Sequence, residues 1–444
     1  RLPVCDHNRL GGLRAGMASE VVVHPSPSRV RRMRTFAVSF LFVAGIVNYL
    51  DRVSFSIANT SIRADLGLSG TQIGALLSAF SLAYGVAQLP IGLMLDRLGS
   101  RTILAVGMFV WSLAQMATGL VSSFGGFMTT RISLAAGEAP MMPCGVKVMN
   151  DWFGARDRGL PTGLLTASNT LGVTLAPPIL TVIMLAYGWR SMFVSVGTFS
   201  LLLSLAWYPL YRDRESVVLT SAETESLGLE TEQPRIAMSF SQWRRLFRLH
   251  TVWGMMLGFG GVNYTTWLYL SWLPGYLQGA RHLTIARTGW VAIIPYMFGT
   301  VGSVVSGVAL NRLIRRGYTP VVACKILIVG GMFCSALSTL GVAYVATAME
   351  AVACVSMAIF FIYFAGNAGW GLAQAMAPTH MIASVGAIQN FGSFVCASLA
   401  PLITGWLLDR THSFNIALMI CALATTLGAL SYWLIVKDRI ESTV

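Results

Sequence analysis

The sequence predicts an all-α membrane protein of twelve transmembrane helices in two six-helix halves, with both termini cytoplasmic. Three observations predict it: the composition, the spacing of the apolar runs, and the side of the chain on which the basic residues fall. Of 444 residues, 55% are hydrophobic and only 11% charged, and the mean hydropathy is +0.65. A soluble protein carries about 25% charged residues, so this chain has too few polar groups to cover a water-facing surface. A soluble enzyme, a nucleic-acid-binding protein and a disordered chain are excluded on that ground. The net charge of +13 is read instead as loops lying against anionic lipid.

A helix needs about 20 apolar residues to cross the hydrocarbon core. Runs of that length lie near 35–59, 71–95, 102–122, 125–149, 162–187 and 191–211, then 251–277, 288–310, 320–343, 348–374, 384–408 and 414–436. The expected organisation is a cytoplasmic tail at 1–34, a six-helix half at 35–211, a charged cytoplasmic loop at 212–250, a second half at 251–436 and a tail at 437–444. With the amino terminus inside, the 19 basic residues at 29–34, 97, 101, 156, 158, 212–248, 312–316, 437 and 439 fall on the cytoplasmic side and 5 (Arg63, Arg190, Arg281, Arg287 and Arg410) outside. That bias sets the orientation. The polar segment before residue 35 does not fit a secretory signal, because the apolar run after it is long enough to span. Met17 and Met33 are candidate start residues. The seven cysteines show neither metal-ligand nor paired spacing and are read as small apolar residues.

After the second span stands GLMLDRLGSR (92–101), and after the eighth GVALNRLIRRG (307–317). A similar glycine-containing helix end and basic loop at the same place in each half indicate internal duplication. The pattern G-x-x-x-D-R-x-G-x-R resembles the signature of the major facilitator superfamily, matched here by Gly92, Asp96, Arg97, Gly99 and Arg101. That resemblance implies a gating role for these residues, latching helices on the cytoplasmic side. In the second loop Asn311 stands in place of the expected acid. NYLDR (48–52), RISLAAGEAP (131–140), NDWFGARDRG (150–159), LAPPI (175–179) and YGWR (187–190) are similar to the anion:cation symporter family. Within it they look most like bacterial proton-coupled carriers of hexonates, hexuronates and aldarates. The likeness spans roughly residues 35–436, departing at Pro161 and Met376.

Ionisable residues within a span cost about 2.5–3.5 kcal/mol each on insertion scales, so each needs a partner or a function. Asp51 and Arg52 in the first span, and Arg131 and Glu138 in the fourth, are the candidates. Arg131 and Glu138 are seven residues apart, about two turns, and share one face. Asp51 and Arg52 point about 100° apart and must look to other helices. Measured from the expected outer ends at 59 and 125, Asp51 and Arg131 lie at similar depth, which pairs them. Glu138 then lies nearer the midplane, where Arg52 or the substrate pocket meets it. The functional reading has Arg52 binding a carboxylate while Asp51 and Glu138 take up and release protons, with Arg131 as the charge partner that switches. A network that only holds helices together is the alternative, disfavoured because buried ion pairs seldom offset their own desolvation. The resemblance assigns substrate and proton roles to Asp51, Arg52 and Glu138.

Polar and aromatic residues suited to a hydroxylated anion surround these charges. Tyr49, Tyr84, Asn169 and Asn390 are expected at the substrate, because the matching positions in the resembling carriers line the cavity. Gln389 and Trp370 are expected to close it from the second half. Lys147 and Lys325 are read as snorkelling at span ends. No G-x-x-x-x-G-K-[ST] loop and no H-E-x-x-H is present, so neither a nucleotide-driven pump nor a catalytic centre is indicated. The expected function is proton-coupled symport of a small organic anion, most simply a sugar acid, by alternating access in the cell (inner) membrane. An exchanger or symporter of aromatic or dicarboxylic acids and a non-transporting sensor are the alternatives. Protons are the coupling ion, no cofactor or metal is expected, and a monomer encloses its own cavity.

Overall fold

In a bilayer, backbone N–H and C=O groups have no water to bond, so every crossing segment must satisfy its own backbone. The structure, a computed structural model, meets this with helices throughout. It describes residues 28–154, 157–218, 220, 223, 244–378, 381–437 and 440, with the side chains of Gly92, Leu93, Asp96, Ile382 and Ala383 outside the description. In chain order the helices are α1 Ser28–Leu66, α2 Gly70–Thr118, α3 Phe124–Glu138, α4 Met141–Trp152 and α5 Gly159–Leu210. A short 3-10 turn, Arg214–Ser216, follows. Then come α6 His250–Gly279, α7 Ile285–Val291, α8 Ile293–Arg315 and α9 Pro320–Tyr344. The last three are α10 Ala348–Met376, α11 Ile382–Thr411 and α12 Asn415–Leu434. Among the described residues, eight helices are long and apolar enough to cross a membrane by length and composition.

Glycines in the sequence motifs decide where the long helices turn. Gly99 (φ 75°, ψ 164°) breaks α2 inside GLMLDRLGSR, and Gly188 (φ 81°, ψ 164°) breaks α5 inside YGWR. Both sit in backbone space that side-chain-bearing residues rarely enter, so each marks a reversal between two helical rods. A break of another kind follows Glu138. Pro140 lacks the N–H that would continue the ladder, and α3 gives way to α4 there. The expected single run at 125–149 is therefore two helices, with Glu138 the last residue of the first. Glu350, at the start of α10, forms a capping box with Thr347.

Helices α1–α5 pack on one another, as do α6–α12, and the two groups meet where α2 lies on α11, α1 on α6, and α5 on α7 and α8. Along α2 and α11 the backbones nearly touch: a Cβ on Gly74 would run into the Pro401 carbonyl, and one on Gly405 into Gly70. Asp409 completes this seam. Its carboxylate accepts from the Gly70 N–H (2.7 Å), the Thr71 N–H (2.7 Å) and the Thr71 hydroxyl (2.6 Å), capping the start of α2 from the other group of helices. On the same side Ser56 donates to the Ser271 carbonyl (2.7 Å).

Candidate functional site

Arg52 and Glu138 form the centre. Arg52 donates from Nη2 and Nε to one oxygen of Glu138, Oε2, at 2.8 and 3.1 Å. The acid is 0% exposed and its Oε1 has no hydrogen-bond partner. Aromatic rings surround the guanidinium, with its carbon 4.7 Å from the Tyr49 centroid, 4.7 Å from Tyr84 and 5.3 Å from Phe80. These faces carry the negative end of the ring quadrupole and hold the cation where water is scarce. Asn48, one turn before Arg52, accepts a long bond from it (3.5 Å).

The expected Asp51–Arg131 pair does not form. Asp51 accepts instead from Ser200 on α5 (2.8 Å), and its other oxygen is unpartnered. Arg131, 1% exposed, lies over the rings of Phe80 (4.7 Å) and Phe55 (4.9 Å), with Nε and Nη1 unpartnered. The physical reason is the length of α1. It continues to Leu66 rather than ending near 59, so Asp51 and Arg52 lie two turns deeper from that end than the apolar run indicates. Counted along the true helices, Arg52 is fourteen residues before Leu66 and Glu138 fourteen after Phe124, and these two meet.

The remaining substrate candidates fall into two sets. Tyr84 stacks on Phe80 and packs on Phe394 of α11, so it stands between the two groups of helices. Half-buried Tyr49 faces Gly172 of α5, and the Asn169 amide contacts the Met142 sulfur (3.4 Å). From the second group, Asn390 donates to Gln88 of α2 (3.0 Å). Gln389 is buried with both ends of its amide unpartnered. Trp370 keeps 43% of its surface exposed and packs edge-on against Phe259.

At the opposite end from Asp409, the N–H of Arg101 donates to both oxygens of Asp213 (3.1 and 3.2 Å), and its Nε donates to the Tyr208 carbonyl (2.8 Å). A Cβ on Gly99 would strike the Asp213 carboxylate, which explains the glycine as well as its φ. Burial pushes the Asp213 carboxyl up, opposed by the Arg101 N–H bond. Arg97 is exposed, and the side chains of Gly92 and Asp96 lie outside the described residues. Lys147 does not simply snorkel: it pairs with Asp151 (3.4 Å) and Glu215 (3.6 Å).

Ser200, Phe80, Phe55 and Asp409 escaped the sequence reading. Phe80 was legible, since it sits one turn before Tyr84 and Gln88 on the same face of α2. Asp409 had a signal too: Gly405, Asp409 and Arg410 repeat the G-x-x-x-D-R spacing of 92–97 at another helix end. Nothing in the sequence singles out Ser200.

Two groups of helices carrying similar loops at 92–101 and 307–317, with a buried Arg–Glu pair in the first group, agree with the sequence comparison, in which the Major Facilitator Superfamily pattern matches residues 41–401. The chain belongs to the Major Facilitator Superfamily. Among its superfamily relatives, the protein named Probable L-galactonate transporter of Escherichia coli (strain K12) is 52% identical over 415 residues, covering 93% of this chain and 92% of that one. The Hexuronate transporter of Bacillus subtilis (strain 168) is 30% identical, covering 86% and 90%. The solved fold of a bacterial homolog to the human lysosomal transporter Spinster, inward-facing and unoccupied, superposes with a TM-score of 0.79 at 17% identity, covering 92% and 99%. These superfamily members are transporters and not enzymes, and the chain is a multi-pass membrane protein.

Proposed function

We propose that the chain carries a sugar-acid anion into the cell together with protons, by alternating access across the bacterial cell membrane. The observation that carries this reading is the buried Arg52–Glu138 pair with its second carboxylate, Asp51, one residue away. Arg52 and Arg131 balance Asp51 and Glu138 when both acids are ionised, so the empty site is neutral. A substrate carboxylate that takes Arg52 displaces Glu138, and a buried carboxylate without its cation is costly. Taking up a proton removes that cost, since loss of the Arg partner and burial both favour the neutral acid. Anion and proton therefore bind together and the site remains neutral, which is symport. Asp51, with one neutral hydrogen bond from Ser200, is the second protonation site. Tyr49, Tyr84, Asn169, Gln389, Asn390 and Trp370 meet the hydroxyls.

Twelve spans with both termini cytoplasmic accommodate the reversals at Gly99 and Gly188, with α1 extended to Leu66 and α3 and α4 together making the fourth crossing. In that orientation the Asp409 seam is external and the Arg101–Asp213 latch is internal. The structure then corresponds to the state closed to the outside, and one chain suffices for transport. The 52% identity to a protein named for L-galactonate makes that anion the first to try. Uptake of L-galactonate into proteoliposomes with and without an inward proton gradient tests the reading; equal uptake in the two overturns coupling. One observation favours a second reading: the free nitrogens of Arg131 suit a second carboxylate. Competition by galactarate that exceeds L-galactonate would favour an aldarate.

A further inference from the structure

One turn beyond the Ser56–Ser271 hydrogen bond, on the Asp409 side of the seam, α1, α6 and α11 enclose a cavity of about 280 Å3. It is separate from the Arg52 site and takes no part in the mechanism above. Its lining is unusual in one respect. Asn59 is 1% exposed, and both its Nδ2 and its Oδ1 lack a hydrogen-bond partner. A buried amide left unmatched at both ends is costly, and native structures rarely retain one without a role. The space before it is kept open by Gly275, where a Cβ would stand 3.3 Å from Asn59 Nδ2.

Charge in the cavity comes from Arg63, four residues after Asn59 and therefore on the same face of α1. Arg63 has one long bond, from Nε to the Leu68 carbonyl (3.5 Å), and takes part in none of the ion pairs of the described residues. His412, at the end of α11, also lines the cavity, and the remaining polar side chains of the lining are engaged. Thr60 donates to Gln278, the Trp272 indole donates to the Pro401 carbonyl, and both oxygens of Asp409 are taken by the start of α2. The helix N-terminus offsets part of the Asp409 charge, and Arg63 interacts with that carboxylate across the cavity without pairing with it, which leaves a guanidinium, the His412 ring and an amide lining the cavity. A cation and an amide that both donates and accepts suit a small carboxylate bearing hydroxyls.

The four residues Arg52, Ser56, Asn59 and Arg63 are spaced by four, three and four, so they form a single stripe along α1. It leads from the inner guanidinium past the seam to the outer one, over roughly 16 Å. We propose that the cavity is a second, outer binding site for a small hydroxylated carboxylate, held by Arg63 and Asn59, from which the anion passes along α1 to Arg52 when the seam opens. This rests on the reading of the chain as a sugar-acid carrier.

The test is equilibrium binding of radiolabelled L-galactonate to the purified full-length protein, with uptake into proteoliposomes alongside. Arg52→Ala removes the inner guanidinium and should leave one binding event. Adding Arg63→Gln, or filling the cavity with Gly275→Val, should weaken that event by about tenfold or more. Should Arg52→Ala fail to fold, the wild type still decides: Arg63→Gln should lower the saturating stoichiometry from two to one. Residual binding untouched by both outer substitutions, or a wild-type stoichiometry of one or none, overturns the outer site. Uptake separates the two readings. Uptake with a stoichiometry of one overturns the outer site alone, whereas absence of uptake overturns the carrier reading for L-galactonate whatever the stoichiometry.

Discussion

Glu138→Gln keeps the shape of the buried carboxyl and removes its charge. In the structure, Oε2 of this fully buried acid takes two N–H bonds from Arg52, at 2.8 and 3.1 Å. Removing one partner of such a pair costs about 3–5 kcal/mol, because the other charge is left buried alone. Gln still offers a carbonyl to Arg52, so the loss of stability in the empty protein should lie near the lower end, about 3 kcal/mol. A substrate carboxylate then restores what the substitution took away. It no longer competes with Glu138 for the guanidinium, and a hydrogen bond to a charged group contributes about 1.5–3 kcal/mol, which corresponds to a gain in affinity of about ten- to a hundredfold. Wild-type affinity should tighten as pH falls and Glu138 is protonated, whereas the variant should lose that component. Thermal shifts with and without L-galactonate, titration calorimetry at two pH values, and a comparison of exchange with gradient-driven accumulation measure each part. Accumulation that survives in Glu138→Gln, or affinity that weakens tenfold, would refute the competition between Glu138 and substrate.

Arg52→Ala should abolish L-galactonate binding in the central site, and Arg52→Lys should recover little of it, because an ammonium cannot reproduce the planar guanidinium set among three rings; calorimetry on both variants checks this. Ser200→Ala and Asp51→Asn should couple by about 1 kcal/mol in a double-mutant cycle on thermal stability, while additive effects would show that the Ser200 bond contributes nothing. Gly405→Leu should prevent the α2–α11 seam from closing, since even a Cβ meets the Gly70 backbone; labelling of a cysteine placed at the seam should rise severalfold over the unsubstituted background. Asp409→Ala leaves the Gly70 and Thr71 N–H groups uncapped and should raise the same labelling, but by less than Gly405→Leu does. Labelling unchanged in Asp409→Ala would show that the carboxylate does not hold the seam.

The membrane class and the superfamily were legible in the sequence because both rest on local properties. Apolar runs of bilayer length need no partner to be recognised, and glycine at 99 and 188 announces a reversal by its own conformational freedom. The candidate residues were legible for a similar reason: Asp51, Arg52, Arg131 and Glu138 stand out as charges in apolar surroundings wherever their helices lie. Their ring shelf was half visible, with Tyr49 and Tyr84 read from the sequence and Phe80 overlooked.

Pairing was legible only in part: Arg52 stood open as a partner for Glu138, but the partner of Asp51 was decided by tertiary structure. Hydropathy marks the apolar part of a helix and not its end, and α1 continues beyond its apolar run through Arg63 and Asp65 to Leu66. Those two extra turns moved the reference for depth and separated Asp51 from Arg131, so that Asp51 meets Ser200, while Glu138 takes Arg52, one of the two partners left open for it. The seam was equally out of reach. Asp409 lies 339 residues from Gly70, and its three bonds exist only because Gly70 and Gly74 on α2 and Gly405 on α11 let the two helices approach backbone to backbone. Composition and periodicity determine what a segment is; which segment it faces depends on where each helix ends, how closely two backbones approach, and which buried charge reaches its neighbour first.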